Sequence, residues 1–346
     1  VHCTGVVSTE CFERYDLPES LVLREVNSCV LRSPSGRGTR IERNNVQALI
    51  LDRVALDTLL VDRAVQAGAT LLLDTAVEDV CWNGDGVSLV LTHDGGQASI
   101  NARAAIVATG YGAPLARKIG LASRSDVVSG CQAVVAAPDV DEVEVFTGGM
   151  FGHGGYGWLV PWAQGYALAG VLTRKHTVRL MGEHIRRLQN DRRIGDVQET
   201  FRCRPIPLGV TKRTVMDGIL GVGDTVGQVK PTTGGGIYYG LLGADAAAST
   251  LIDALSNGDV SADRLMPYDS QWRRILEPEI RQGYMLRSIL EQLPDSVVEH
   301  LHRLIGLPGL KRLLTSRGTF DWHSGPLTGV LAQLQRHTEK QEAAAS

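Results

Sequence analysis

Gly221-Val222-Gly223-Asp224-Thr225-Val226-Gly227-Gln228-Val229-Lys230-Pro231-Thr232-Thr233-Gly234-Gly235-Gly236-Ile237 is the stretch on which the fold turns. A short apolar strand, Ile219–Val222, runs into Gly223-Asp224, and a loop then leads to three glycines that open a helix of small residues from about Gly236 to Leu255. Glycine lets backbone N–H groups come close to a ligand, and the N-terminus of a helix favours negative charge at that place. Asp224 repels a phosphate, so its carboxylate is suited to accept hydrogen bonds from sugar or polyol hydroxyls. A tight structural loop capped by an aspartate would also use Gly-Asp, but the extended pattern favours a cofactor.

Working outward, a helix follows Asp52, with Leu56, Leu59, Leu60, Ala64 and Ala67 at helical spacing and Gly68 placed to stop it. Short β-like runs come next at Thr70–Leu73, Val77–Trp82, Val87–Thr92, Ala98–Ala102 and Ala105–Ala108. Turn signals at Asn83-Gly84-Asp85-Gly86 and Asp94-Gly95-Gly96 separate them, as an antiparallel meander requires. Residues 128–217 read as strand-rich, and the part from about 263 reads as helices broken at Pro278, Pro294 and Pro308.

Composition narrows the function. The chain has 346 residues, enough for two joined domains, and a net charge of −3 gives no basic field for nucleic acid. No apolar run reaches the roughly 18 residues of a membrane span. Six cysteines (Cys3, Cys11, Cys29, Cys81, Cys131 and Cys203) are scattered without a C-x-x-C pair, so neither a metal site nor a disulfide framework is expected, and a reducing cytoplasm is the expected compartment. His300 and His302 read as a solvated helix face rather than a ligand pair.

The Gly-Asp, Pro231 and Gly234-Gly235-Gly236-Ile237 pattern resembles the second flavin motif of the geranylgeranyl reductase family, within the flavoproteins that include p-hydroxybenzoate hydroxylase. The resemblance implies FAD as cofactor, with Gly223, Asp224, Pro231, Gly234, Gly235, Gly236 and Ile237 at its ribityl and ring end. Leu51-Asp52-Arg53 resembles the family's Asp-Arg helix, which puts Arg53 near the cofactor. Ala105-Ile106-Val107-Ala108-Thr109-Gly110 resembles the strand-turn under the adenosine, which implies roles for Thr109 and Gly110. Cys3-Thr4-Gly5 resembles the Cys-x-Gly loop beside the isoalloxazine. Gly155-Tyr156-Gly157-Trp158-Leu159-Val160-Pro161 resembles the P-x-x-Y-x-W-x-F-P signature of the substrate domain, with His153 in place of the first proline and Val160 in place of the phenylalanine. Alternation along a strand sets Tyr156 and Trp158 on one face. The candidate catalytic residues are therefore Cys3, Tyr156 and Trp158, and no metal is called for.

Gly152-His153-Gly154-Gly155-Tyr156-Gly157 spells G-x-G-x-x-G, but an extended, proline-ended run follows it instead of a helix, so it is rejected as a dinucleotide fingerprint. In the family that unit lies upstream of the Cys-x-Gly loop, and roughly 30 or more residues are expected before Val1. Without them FAD affinity would fall severely, leaving a flavin-deficient fragment.

The expected fold is α/β (α+β): an incomplete Rossmann-like FAD-binding domain over 1–125 and 218–258, an interleaved antiparallel-sheet substrate domain over 126–217, and a helical C-terminal part over 259–346. The resemblance implies reduction of carbon–carbon double bonds of an isoprenoid chain on a lipid, chlorophyll or quinone precursor, with NAD(P)H or ferredoxin as electron donor. An aromatic hydroxylase and a carrier of electrons to quinone are the alternatives. The apolar face formed by Val297, Val298, Leu301, Leu304, Ile305, Leu310, Leu313 and Leu314 fits core packing, and it also fits peripheral contact with a membrane.

Overall fold

A computed structural model describes residues 3–93, 95–122, 126–307 and 320–322. Its largest sheet has seven strands in the order Arg202–Pro207, Val127–Ala136, Tyr166–Thr173, Tyr156–Pro161, Val143–Thr147, Ser28–Arg32 and Gly38–Glu42. Every pairing is antiparallel except that of Val143–Thr147 with Ser28–Arg32. The antiparallel part is the strand-rich region expected, and two strands from much earlier in the chain extend its edge.

The helix Thr177–Asn190 lies within that region and carries no proline or glycine signal at its start. It packs on the sheet through Leu180, Met181, His184, Ile185 and Leu188, which recur at helical spacing.

Three smaller sheets surround the large one. Val6–Ser8, Ala48–Leu51 and Val22–Val26 form an antiparallel set. Thr75–Trp82, Val87–His93 and Gly96–Ala102 form the expected meander. Its first turn is held by the Asn83 side chain, whose Oδ1 accepts the N–H groups of Asp85 at 3.1 Å and Gly86 at 2.9 Å. Thr70–Leu73, expected as a strand, is not one. It pairs with no described strand, and Leu71, Leu72 and Leu73 are exposed, so the apolar run alone does not make a sheet edge. Ala105–Val107 leaves the meander and runs parallel to Ile219–Gly221, which brings Thr109-Gly110 beside the glycine-rich loop.

The helix Arg53–Gln66 starts where expected, because the Asp52 carboxylate accepts the N–H groups of Val54 at 2.9 Å and Ala55 at 3.1 Å. Ile237–Ser256 is the expected small-residue helix. The break expected at Pro278 does not occur: Ala262–Leu290 is one helix through Pro267 and Pro278. Proline removes one i→i−4 hydrogen bond and crowds the preceding turn. Leu265, Tyr268, Trp272, Leu276, Ile280 and Gly283 are buried along one face of this helix, and that burial outweighs the defect. The helix ends at Leu290, and Pro294 then takes the N-cap position of the next helix, Asp295–Ile305; Pro308 lies outside the described residues.

Two further readings are corrected. Cys131 and Cys203, 72 residues apart in sequence, are register partners on adjacent strands and form a disulfide. Their wide spacing concealed a pairing that only sheet register creates. His302 is buried and shares a hydrogen bond with Thr147 Oγ1 at 2.8 Å, so only His300 of that pair faces solvent.

Candidate functional site

One cavity of about 1110 Å³ lies between the large sheet, the glycine-rich loop and the end of the helix Ala262–Leu290. Cys3, Arg53, Tyr156, Trp158, Asp224, Gly234, Gly235, Gly236 and Ile237 all line it. Thr109, Gly110, Gly223 and Pro231 do not. Gly110 N–H donates to Thr225 Oγ1 at 3.0 Å, so the Thr109-Gly110 turn holds the Asp224 turn from behind. Pro231 presents its carbonyl to Arg287 Nη1 at 3.4 Å.

The loop is shaped by contacts that local sequence does not announce. Gly223 takes φ +70° at the start of the turn, and its N–H donates to Gln228 Oε1 at 2.7 Å. Gln228 Nε2 donates in turn to the Tyr268 hydroxyl at 3.1 Å, and that hydroxyl donates to the Gly221 carbonyl. A side chain at Gly243 would fall 2.1 Å from Gln228 Oε1, which explains a glycine inside that helix. One at Gly227 would fall 2.2 Å from the Gly209 carbonyl, at a φ of +85°.

Asp224 emerges from this turn against the helix Ile237–Ser256. A Cβ on Gly236 would lie 2.8 Å from Asp224 Oδ1, and no side chain caps that helix N-terminus. Burial pushes the Asp224 carboxyl up to about 6. A carboxylate so desolvated needs hydroxyl or N–H donors to stay ionised. Arg53, in the first turn of its helix, bonds Asp57 at 2.6 Å, while its Nε is buried and has no hydrogen-bond partner among the described residues. The Cys3-Thr4-Gly5 loop lies against it: a Cβ on Gly5 would meet the Leu51 carbonyl at 2.3 Å and Arg53 Cγ at 3.3 Å. These residues offer an acceptor carboxylate, an unsatisfied cationic donor and a helix N-terminus without a side-chain cap, a set that fits a flavin's ribityl hydroxyls and ring edge.

The opposite wall is aromatic. The strand Tyr156–Pro161 presents Tyr156 and Trp158 together, their ring centroids 5.9 Å apart. Gly170 on the neighbouring strand makes room, since a Cβ there would lie 2.2 Å from Trp158 Cζ2. The Tyr156 hydroxyl donates to the Thr233 carbonyl at 2.8 Å and ties the wall to the glycine loop. Burial pushes the Tyr156 phenol up to about 12, against the opposing pull of the Arg287 charge, so it keeps its proton at neutral pH. Behind the wall, His184 is enclosed by Phe146 and Phe151, and burial pulls its imidazole down to about 4.

The run Gly152–Gly157 enters this strand rather than a helix, in line with its rejection as a dinucleotide fingerprint.

Sequence reasoning missed two buried charges that line the cavity. Lys230 pairs with Asp321 and sits over the rings of Tyr239 at 5.5 Å and Phe320 at 5.0 Å. Arg287 pairs with Glu291 at 3.0 Å. Lys230 lies inside the glycine-rich stretch with no role assigned to it and Arg287 lies in no motif, and each depends on residues brought together by folding. Among the described residues no three His, Cys, Asp or Glu side chains converge as metal ligands.

The tryptophan halogenase family model matches residues 18–282, which defines the chain as a flavin-dependent oxidoreductase of that broad group. Digeranylgeranylglycerophospholipid reductase 2 of Methanothermobacter thermautotrophicus is 31% identical over 315 residues, covering 88% of this chain and 81% of the relative. The chain belongs to the geranylgeranyl reductase family. A geranylgeranyl bacteriochlorophyll reductase-like protein of Thermoplasma acidophilum shares the fold, with a TM-score of 0.82 at 22% identity over 88% of this chain and 82% of that one. The flavin-dependent brominase Bmp2 shares it less closely, with a TM-score of 0.67 at 15% identity over 98% and 90%.

Proposed function

We propose that this chain reduces carbon–carbon double bonds of an isoprenoid chain carried on a lipid, with FAD as its cofactor and NAD(P)H or ferredoxin as the source of electrons. The observation that carries the reading is the placing of Tyr156 and Trp158 opposite Asp224 and Gly234–Gly236 across one largely apolar cavity. Apolar lining from Val143, Val145, Val160, Leu172, Leu286, Leu290 and Leu293 gives a long chain somewhere to lie out of water. The names of the related reductases support the same substrate class.

In this reading Asp224 accepts hydrogen bonds from the ribityl hydroxyls, the glycine-opened helix N-terminus faces the flavin ring, and Arg53 supports the ring from the Cys3 side. Thr109 and Gly110 steady the turn that carries Asp224. FAD, when bound and reduced, would supply hydride to one alkene carbon, with a proton from solvent reaching the other. Trp158 and Tyr156 hold the alkene flat and exclude water, and Cys3 borders the reacting face. The matching domain division assigns residues 1–125 and 218–258 to the cofactor, 126–217 to the substrate chain, and 259–346 to a helical C-terminal part, of which Leu286, Arg287, Leu290 and Leu293 line the cavity.

The test is product mass. The protein is loaded with FAD, reduced anaerobically and given a geranylgeranylated lipid. Masses rising by pairs of hydrogens are expected. Unchanged masses with bound, reducible flavin would sink the isoprenoid reading. Oxygen uptake stimulated by an aromatic substrate would replace it with hydroxylation.

Among the described residues no helix is long and apolar enough to cross a membrane. Of the apolar face at 297–314, Val298 lines the cavity and Val297 is exposed, while Leu310, Leu313 and Leu314 lie outside the described residues.

A further inference from the structure

Arg287 is an unusual cation. Its side chain is only 3% exposed, deep in the helix that forms one end of the cavity. Nε donates to Glu291 Oε1 at 3.0 Å and Nη1 reaches the Pro231 carbonyl at 3.4 Å. Nη2 is buried and bonds to nothing among the described residues. Leaving a buried donor unpaired costs about 1–3 kcal/mol, and more on a charged group. Such an arrangement persists where another partner completes it.

The surrounding charge is mixed: Arg287 and Arg174 meet Glu291, Asp126 and Asp295. Glu291 Oε1 is shared, accepting from Arg174 Nε at 2.7 Å as well as from Arg287. Two guanidiniums thus divide one enclosed carboxylate. The second acid on Arg174, Asp126 at 3.3 Å, has a side chain 54% exposed, where solvent screens it. Asp295, the other acid lining this end, is engaged by the Gly149 N–H at 2.6 Å. The loop Gly152–Gly155 lines the same end and presses on Glu291: a Cβ at Gly154 would fall 2.2 Å from Glu291 Cγ. Gly152 and Gly154 both take positive φ, and the loop is closed on itself by the Gly152 N–H donating to the Gly149 carbonyl at 3.0 Å and the Gly155 N–H to the Gly152 carbonyl at 2.9 Å.

We propose that Arg287, backed by Arg174, forms a phosphate subsite that anchors the head of the isoprenoid substrate, an inference that rests on the function proposed above. A planar guanidinium matches phosphate geometry better than a point charge. Anchoring at one end sets which double bonds along the chain reach the Tyr156–Trp158 wall.

The test uses FAD-loaded protein, wild type, Arg287→Gln and Arg287→Lys, with thermal melts to confirm that each variant folds. Titration with inorganic diphosphate should show binding to wild type that weakens roughly tenfold or more in Arg287→Gln, with Arg287→Lys between them. Against geranylgeranyl diphosphate, Arg287→Gln should raise KM by a similar factor with little change in kcat, while KM for geranylgeraniol stays within about twofold. A glycerol-phosphate geranylgeranyl ether run alongside distinguishes the two phosphate sources by which KM moves more. Equal rises for alcohol and diphosphate would mean that Arg287 only builds the wall, and would overturn the subsite. So would diphosphate binding that does not depend on Arg287, or its absence in wild type. If diphosphate binding depends on Arg287 but no prenyl chain is reduced, the subsite stands and the isoprenoid reading falls.

Discussion

The two walls of the cavity are made of different material. On one side the surface is backbone: Gly234, Gly235 and Gly236, with the Asp224 carboxylate beside them. On the other it is side chain: Tyr156 and Trp158 on a strand, with Arg287 at its edge. A backbone wall is fixed by φ, ψ and close approach, and every residue in it is constrained by local chemistry. A side-chain wall is fixed by what packs behind it, here Gly170, Phe151 and His184. The first tolerates little change, whereas the second can be re-lined without refolding.

The largest expected effect is in the loop that carries the backbone wall. Gly227→Ala sets a Cβ 2.2 Å from the Gly209 carbonyl and adds a penalty for positive φ, so urea unfolding should show a loss of roughly 3–4 kcal/mol. A loss below about 1 kcal/mol would mean that this wall is as pliable as the other.

Next comes His184 behind the aromatic wall. Its folded imidazole is held down to about 4 against an ordinary 6.5, so its contribution is present above pH 6.5 and is lost as pH falls towards 4, where the unfolded chain takes up a proton that the folded protein refuses. Up to about 3 kcal/mol should disappear across that window. His184→Gln should flatten the stability-versus-pH curve there, and an unaltered slope would place the loss elsewhere.

Asp224 sharpens the contrast, because function and stability oppose each other at this position. Its folded carboxyl is raised to about 6, so the ionised form destabilises the flavin-free protein above pH 6 and does not below the ordinary carboxyl range near 3.8. Asp224→Asn should stabilise the flavin-free protein at pH 8 by about 1–2 kcal/mol, read as a higher melting temperature, with the gain fading towards pH 4. The same variant should bind FAD roughly tenfold more weakly in a fluorescence titration. A variant that gains no stability would show that the carboxylate is satisfied by the protein itself.

The smallest effect should be at the seam. Tyr156→Phe removes the hydrogen bond to the Thr233 carbonyl that joins the two walls, and chemical denaturation should report about 1 kcal/mol.

The same division explains what could be read in advance. The Asp224–Ile237 loop and the Asp52–Arg53 helix start are contiguous in sequence, and glycine and capping chemistry act over a few residues, so their pattern survives in one dimension. Tyr156 and Trp158 were legible because strand alternation is equally local. Arg287 and Lys230 were not. Lys230 meets Asp321 across 91 positions, and Arg287 touches Pro231 across 56. The Cys131–Cys203 bond was hidden for the same reason. The misplaced break at Pro278 and the misread strand Thr70–Leu73 fail in another way: a local preference was correct in kind and was outvoted by burial in one case and left without a pairing strand in the other.

The parallel seam between Ser28–Arg32 and Val143–Thr147 has a consequence for synthesis. The hairpin Ser28–Glu42 leaves the ribosome long before Val143 exists, with one edge of backbone donors and acceptors open. Closing that distance costs chain entropy before any contact repays it, so the large sheet is a late, slow step in folding. Until it forms, the hairpin is a template for strands of other chains. Lower expression levels, which keep nascent chains apart, should therefore raise the soluble yield, and interruption of synthesis before Val143 should yield aggregate.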